Sequence, residues 1–173
     1  MIPLRRTLPK KPLIVVGWRE WIALPELGIG CISAKIDSGA ETSCLHAMQM
    51  TTFRRGKIDW VRFQLPTSTR NSSGIQRETP LLDVRKVRSS SGHVSLRPVI
   101  QTVMEMGGVR WTVELTLASR ESMGFLMLIG RQAIAQHCLV DCGHSFLLPK
   151  PPEAVLSQGD RTPIANLPAG SSQ

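Results

Sequence analysis

The sequence contains no tyrosine, few cysteines and no long hydrophobic run, and each shortage narrows what the protein can be. Four cysteines are too few to staple 173 residues into a disulfide scaffold. We therefore expect reduced thiols in a cytoplasmic protein, although an even number leaves pairing open. No apolar stretch approaches a membrane-spanning helix, and residues 13–17 are too short for the core of a signal peptide. The sequence thus predicts no membrane partner.

Motifs for cofactors are also missing. The chain has no glycine-rich phosphate loop and no His-Glu-x-x-His segment. Histidine and cysteine do cluster in residues 137–144, but their spacing does not match a zinc site of two cysteines and two histidines. Cys138 lies in an apolar run, where a cysteine is usually a small core residue. We therefore expect neither a cofactor nor a bound metal.

Acidic residues are scarce relative to basic ones. With 21 Lys and Arg against 13 Asp and Glu, the net charge is +8, which favours a nucleic acid, an anionic surface or an acidic peptide as partner. Charge alone does not choose among these. Aromatic residues make up only 5% of the chain, and the tryptophans lie in strand-like patterns. Few rings remain for stacking on bases, so the composition disfavours a nucleic-acid partner.

The chain is long enough for one domain with tails. A hydrophobic content of 42% can supply a real core, which we place in residues 13–149. Residues 1–12 are basic and proline-containing and predict a flexible arm. Residues 150–173 are rich in proline, glycine and serine and predict a disordered tail.

Alternating hydrophobicity within this domain predicts an all-β fold. The clearest case is residues 110–117, where Trp111, Val113, Leu115 and Leu117 alternate with polar residues. Residues 42–50 fit either a strand or a helical turn, 66–80 predict a long loop, and 132–136 fit one helical turn. Short strands at this spacing are typical of a small barrel or sandwich. Residues 13–17 and 18–24 predict two strands or one bent strand, and further strands are predicted at 29–36, 57–65, 81–87, 94–103, 125–129, 138–141 and 144–148.

One stretch carries candidate chemistry. The strand that ends at Ile36 delivers Asp37 into the small-residue turn Ser38-Gly39-Ala40, where glycine lets a ligand approach the backbone. A carboxylate held on such a turn is suited to acid–base catalysis. The alternative is that Asp37 only hydrogen-bonds its own turn, as aspartates often do.

Two segments together resemble a known family. Residues 36–43, Ile-Asp-Ser-Gly-Ala-Glu-Thr-Ser, are similar to the signature of retropepsin-like aspartic proteases. Residues 128–134, Leu-Ile-Gly-Arg-Gln-Ala-Ile, resemble the apolar-Gly-Arg segment of that family, and the hairpin at 84–99 falls where the family carries its flap. The phrases at 17–21, 24–29 and 97–100 resemble the RimB-type branch, often called "ATP-dependent zinc protease".

The resemblance implies a fold and a mechanism. The fold would be a small closed barrel of the acid-protease type, with one lobe per chain. Because one chain supplies one catalytic aspartate, an active endopeptidase would be a homodimer formed through the active-site loops. The two Asp37 carboxyls would share one proton, since two adjacent negative charges repel, and together activate a water molecule.

The resemblance also implies roles for the neighbours of Asp37. Arg131, supported by Gly130, would form an ion pair with Glu41 beneath the cleft. Ser38 would also hydrogen-bond across the dimer axis. The residues expected to contact substrate are Ser38, Gly39, Ala40 and Glu41 in the turn, and Ser90, Ser91 and Gly92 at the flap tip.

The substrate is expected to be a peptide or protein. Basic residues near the flap favour an acidic one, and members of the RimB-type branch are linked to trimming oligoglutamate tails. Three alternatives remain: a catalytically silent peptide-binding module on the same fold, a metallopeptidase, and, ranked last, a basic β-barrel that binds RNA. The basic flap residues are Arg85, Lys86, Arg88 and Arg97.

Overall fold

A computed structural model describes residues 12–66, 74–88, 92–119 and 124–151, and in these ranges the chain is almost entirely β-structure. The predicted all-β class is confirmed. The predicted arm and tail, the flap-tip residues Ser90 and Ser91, and much of the predicted loop fall outside these ranges, so the domain limits stay a prediction. The strands are β1 Ile14–Gly17, β2 Arg19–Leu24, β3 Ile29–Asp37, β4 Ser43–His46, β5 Met48–Arg55, β6 Ile58–Leu65, β7 Ile75–Pro80, β8 Asp83–Arg88, β9 Val94–Met106, β10 Val109–Ala118, β11 Met127–Gly130 and β12 Cys138–Asp141; a 3₁₀ turn spans Pro25–Leu27 and helix α1 spans Arg131–Ile134.

Six strands form a nearly closed ring. Their order is β10-β4-β11-β3-β2-β9, and β9 pairs with β10 to return to the start. The β2–β9 contact is the thinnest, with only Ala23 and Glu105 in register. Strand β8 lies outside the ring, paired to β9. The ring leaves few strand edges unpaired and buries one continuous core. Both features agree with the predicted small barrel.

The core follows the hydrophobic alternation of the strands. In β10 Val113, Leu115 and Leu117 are buried as predicted, but Thr116 is buried too. Its hydroxyl donates a 2.8 Å hydrogen bond to the carbonyl of Ser43, which satisfies a polar group that would otherwise be costly to bury. The largest fully buried apolar side chains are Phe63, Ile22, Leu24, Leu45, Ile100, Met104, Met106, Leu115, Leu117, Met127 and Ile129.

The structure differs from the sequence prediction in the second sheet. Strands β5, β6 and β7 form a separate three-stranded sheet. Strand β5 is polar and mostly exposed, so hydrophobic periodicity gave no signal beyond residue 50. Strand β7 lies within the predicted loop at 66–80, which is therefore wrong for residues 75–80. The ambiguous segment 42–50 is resolved as strand.

The last predicted strand, at residues 144–148, does not form. This segment instead crosses the end of β2, where the main-chain N–H groups of Leu147 and Leu148 donate to the carboxylate of Glu20 at 2.8 and 3.3 Å. Glu20 also accepts the N–H of Gly17 at 2.8 Å and is completely buried. Two main-chain bonds, Trp18 N–H to the His144 carbonyl and Phe146 N–H to the Arg19 carbonyl, both at 2.9 Å, hold the segment together with Glu20. Glu20 thus helps tie the end of the domain to β1 and β2.

Candidate active site

Asp37 lies at the end of β3, opposite Gly130 at the end of the parallel strand β11. Its Oδ1 accepts hydrogen bonds from the main-chain N–H groups of Gly39 at 3.0 Å and Ala40 at 3.2 Å. The carbonyl of Asp37 accepts a further bond from Ala40. The side chain is only half-buried. The turn therefore fixes one carboxylate oxygen, as the self-bonded alternative also requires, while leaving the group accessible.

The second sequence motif holds the first in place. The N–H groups of Arg131 and Gln132 donate to the carbonyls of Ala40 (2.8 Å) and Glu41 (3.2 Å). The N–H of Gly130 donates to Ser43 Oγ at 3.1 Å. A Cβ on Gly130 would lie 2.5 Å from the carbonyl carbon of Thr42, which explains glycine at this position. The two motifs thus form one backbone-bonded unit.

Arg131 differs from the expectation in its side-chain contact. Its Nη1 lies 3.3 Å from the carbonyl oxygen of Gly39, and no ion pair joins it to Glu41 within the described chain. Gln132 takes the place beside Glu41, with Nε2 and Oε1 3.3 Å apart. The predicted ion pair is therefore wrong for this structure, because the next residue along occupies that position. Arg131 still supports the turn through its main chain and its guanidinium.

An open cleft of about 1650 Å³ lies against this turn. Asp37, Gly39, Ala40 and Glu41 border it on one side and the β8–β9 hairpin borders it on the other. Ser38 is exposed on the turn but does not border the cleft. Gly92 lies exposed at the hairpin turn with a φ of 83°, in the left-handed region. Of the predicted contact residues that are described, Gly39, Ala40 and Glu41 border the cleft, whereas Ser38 and Gly92 do not.

The β8–β9 hairpin has two chemically different faces. Arg85 pairs with Arg97 in the strand register, so both side chains project to one face, toward the ring. Lys86 pairs with Leu96, and both are exposed on the opposite face. Sequence reasoning treated the basic flap residues as one group. The register separates them, because neighbouring residues of a strand point to opposite sides.

Arg85 joins the hairpin to the body of the domain. Its Nη1 lies 2.6 Å from Glu114 Oε2 on β10, and its Nε lies 3.0 Å from Asp83 Oδ2. These hydrogen bonds, the one to Glu114 first, raise the pKa of Arg85 above its ordinary value. The pKa of Asp83 is lowered, chiefly by the N–H of Val84 and then by Arg85. The charge of Arg85 is therefore compensated within the protein.

An aromatic wall bounds the cleft on another side and was missed from the sequence. The Trp18 and Phe125 rings, both bordering the cleft, meet edge to face with centroids 6.0 Å apart. The guanidinium of Arg19 lies 4.7 Å from the Trp18 centroid and 4.9 Å from that of Phe146. Because these residues are distant in sequence, no local pattern could have grouped them.

No metal or membrane-spanning feature was found in the part of the chain that the structure describes. Groups of three or more histidine, cysteine or acidic side chains arranged to hold a metal are absent from it. The histidine–cysteine segment contains only a pair, with His144 Nδ1 2.8 Å from Asp141 Oδ2. Burial, and secondly the charge of Glu20, raise the pKa of Cys138 to about 11, so its thiol stays protonated. None of the described helices is long and apolar enough to cross a bilayer.

Comparisons with known proteins agree with this geometry. Residues 15–151 match the family described as "Retropepsin-like aspartic endopeptidase RimB". Proteins named "Probable alpha-L-glutamate ligase" are similar over most of the chain: 42% identity over 135 residues in Shewanella halifaxensis and 43% over 129 residues in Parasynechococcus marenigrum. The matched parts are 78% and 74% of this chain but only 30% and 28% of those relatives.

A solved structure shares the fold. A Legionella pneumophila protein of unknown function (DUF785) superposes with a TM-score of 0.67 at 27% identity, covering 78% of this chain and 97% of that one. The family match spans the barrel, both active-site motifs and the hairpin between them. The chain therefore belongs to the RimB-like family of retropepsin-like aspartic endopeptidases.

Proposed function

We propose that the protein is an aspartic endopeptidase that works as a homodimer, with Asp37 of each chain forming the catalytic pair. The observation that carries this proposal is the Asp37 turn itself. It presents a carboxylate that is fixed by two N–H donors and borders an open cleft large enough for an extended peptide. A purely structural aspartate would not need to border a cleft of this size.

The dimer follows from the chemistry. Hydrolysis by aspartates needs one carboxylate to take a proton from water and one carboxylic acid to polarise the scissile carbonyl. Each barrel offers one Asp-Ser-Gly turn, so the second acid comes from a twofold-related copy. Water then adds to the carbonyl carbon, the shared proton passes to its oxygen, and the amine leaves after accepting a proton from the pair. No covalent intermediate forms.

An acidic peptide is the substrate class that the charges favour. The net charge is +8, and Lys35 and Arg97 border the cleft without a carboxylate partner among the described residues. Curated relatives are named glutamate ligases, and this chain matches about 30% of their length. A peptidase domain attached to such ligases would meet glutamate-rich chains. We therefore propose glutamate-rich peptides as substrates.

Subunit mixing tests the dimeric mechanism. Wild-type protein and Asp37→Asn are allowed to exchange subunits at equal amounts, and hydrolysis of an oligoglutamate peptide is followed. Only dimers with two intact aspartates would cleave, so activity falls to about one quarter of the unmixed wild type at the same total protein concentration. Independent sites would retain about one half.

Two inhibitors separate the competing chemistries. Pepstatin, a transition-state mimic, should abolish cleavage, and a metal chelator should leave it unchanged. Loss of activity with chelator alone would establish a metallopeptidase instead. If wild type and Asp37→Asn both bind the peptide without cleaving it, the protein is the silent binding module. Sedimentation velocity of both proteins shows whether association is retained.

A further inference from the structure

The cleft-facing side of the hairpin carries one arginine whose charge is compensated and one whose charge is not. Arg85 contacts two carboxylates, whereas the guanidinium of Arg97 contacts only neutral groups among the described residues. Its Nε donates to Ser95 Oγ at 3.1 Å, and its Nη1 lies 3.7 Å from Cys44 Sγ. Arg97 is half-buried, so this charge is partly removed from water without an anion beside it.

The position of Arg97 relates it to the candidate catalytic residue. Cys44, which it contacts, lies on β4 opposite Leu128 of β11, and Leu128 lies opposite Lys35 of β3. Two strand spacings of about 4.8 Å put Cys44 roughly 10 Å from β3, which ends in Asp37. An extended peptide advances about 3.3 Å per residue. A side chain within a few residues of the cleaved bond can therefore reach Arg97.

We propose that Arg97 is a specificity-determining residue that binds a side-chain carboxylate of the peptide in the cleft. The proposal rests on the peptidase function above and assigns its acidic preference to one residue. Guanidinium N–H groups that do not face Ser95 or Cys44 are available, and a carboxylate can accept two of them in parallel. A glutamine side chain offers one neutral oxygen and would leave the arginine charge uncompensated. Ser95 and Cys44 hold the guanidinium in place before the peptide arrives.

A residue-by-position scan tests this assignment. An oligoglutamate peptide and versions with single glutamates replaced in turn by glutamine are compared by kcat/KM on wild type, Arg97→Gln and Lys57→Gln. At one peptide position, replacing glutamate by glutamine should lower the kcat/KM of the wild type about tenfold to a hundredfold. The cost at that position should fall below about threefold in Arg97→Gln. Lys57→Gln is the matched control, because it removes one charge at an exposed position outside the lining of the cleft and should keep the wild-type cost.

Three results would overturn the assignment: no position at which wild type prefers glutamate, a preference unchanged in Arg97→Gln, or an equal loss in Lys57→Gln. If Arg97→Gln does not fold, Arg97→Lys keeps the charge but not the two-pronged geometry. It should then retain only part of the preference, and a fully retained preference contradicts the proposal.

Binding separates this proposal from the peptidase function. If no variant cleaves, fluorescence anisotropy of labelled peptides is measured on Asp37→Asn with and without Arg97→Gln. A position-specific preference for glutamate that Arg97→Gln removes supports the assignment even though hydrolysis has failed. Equal affinities for all peptides on both proteins contradict it.

Discussion

Glu20 and Asp37 each accept more than one backbone N–H group, and they differ in almost everything else. Glu20 is completely buried and accepts three N–H groups, from Gly17, Leu147 and Leu148. Asp37 is half-buried and accepts two, from Gly39 and Ala40, all within its own turn. The comparison teaches that hydrogen-bonding alone does not mark a catalytic acid. What distinguishes Asp37 is that it borders a cleft, whereas Glu20 joins distant parts of the chain.

The largest expected effect is on activity at Asp37. Asp37→Asn keeps an oxygen for the two N–H donors but cannot exchange the proton, so kcat should fall about a thousandfold or more, about 4 kcal/mol of transition-state stabilisation. The free energy of unfolding should change by less than about 1 kcal/mol. Peptide hydrolysis and urea unfolding on the same samples check both. A large loss of stability would place Asp37 in the same structural class as Glu20.

The opposite result is expected at Glu20. Glu20→Ala removes the acceptor of three N–H groups in a fully buried site, so the free energy of unfolding should fall by about 3–5 kcal/mol. Glu20 lies on β2, outside the Asp37 turn, so the activity of the protein that remains folded should be near that of wild type. Urea unfolding with tryptophan fluorescence measures this. Stability within about 1 kcal/mol of wild type would mean that the buried carboxylate is not what holds residues 144–148.

Two glycines sharpen the comparison around Asp37. A Cβ on Gly130 would meet main-chain atoms of Thr42 and Glu41 within 2.9 Å, so Gly130→Ala should cost about 1–3 kcal/mol and lower activity by displacing the turn. The control is Gly39→Ala, whose Cβ meets only Asp37 Oδ1, at 3.2 Å. It should change stability by less than about 1 kcal/mol. Thermal unfolding of the two variants compares them directly, and equal losses would contradict the backbone clash.

A third carboxylate, partly buried in the second sheet, has the smallest expected effect on stability. Glu78 bridges Arg55 at 2.6 Å and Arg62 at 2.8 Å in the second sheet, and hydrogen bonds from Arg62 and then Arg55 lower its pKa. The stability that ionised Glu78 contributes is therefore fully present above the ordinary glutamate pKa of about 4.3. It is lost as the pH falls through the lower pKa of the folded state. Glu78→Gln should cost less than about 1 kcal/mol at neutral pH. The difference in the free energy of unfolding between wild type and Glu78→Gln should vanish in strong acid. Unfolding experiments across a range of pH check this.

The sequence predicted best where a signal is local. Hydrophobic alternation located most ring strands, and the two short motifs at residues 36–43 and 128–134 identified the family that the full comparison confirms. It failed for β5 and β7, because neither strand fully buries a side chain, and such a strand is held by its neighbours and not by its own apolar face. It also paired Arg131 with Glu41, since motif spacing does not fix which of two adjacent side chains reaches a carboxylate.

Sequence by itself determined the all-β class, the family and the candidate catalytic aspartate, because strand periodicity and a short turn motif are properties of neighbouring residues. Tertiary structure alone decided that Glu20 is buried, that Trp18 meets Phe125 at the cleft, and that Arg97 shares one face of its hairpin with Arg85 while Lys86 lies on the other. These facts depend on strand register and on contacts between residues far apart in the chain. Register turns one neighbour inward and the next outward, and no composition or charge count contains that information.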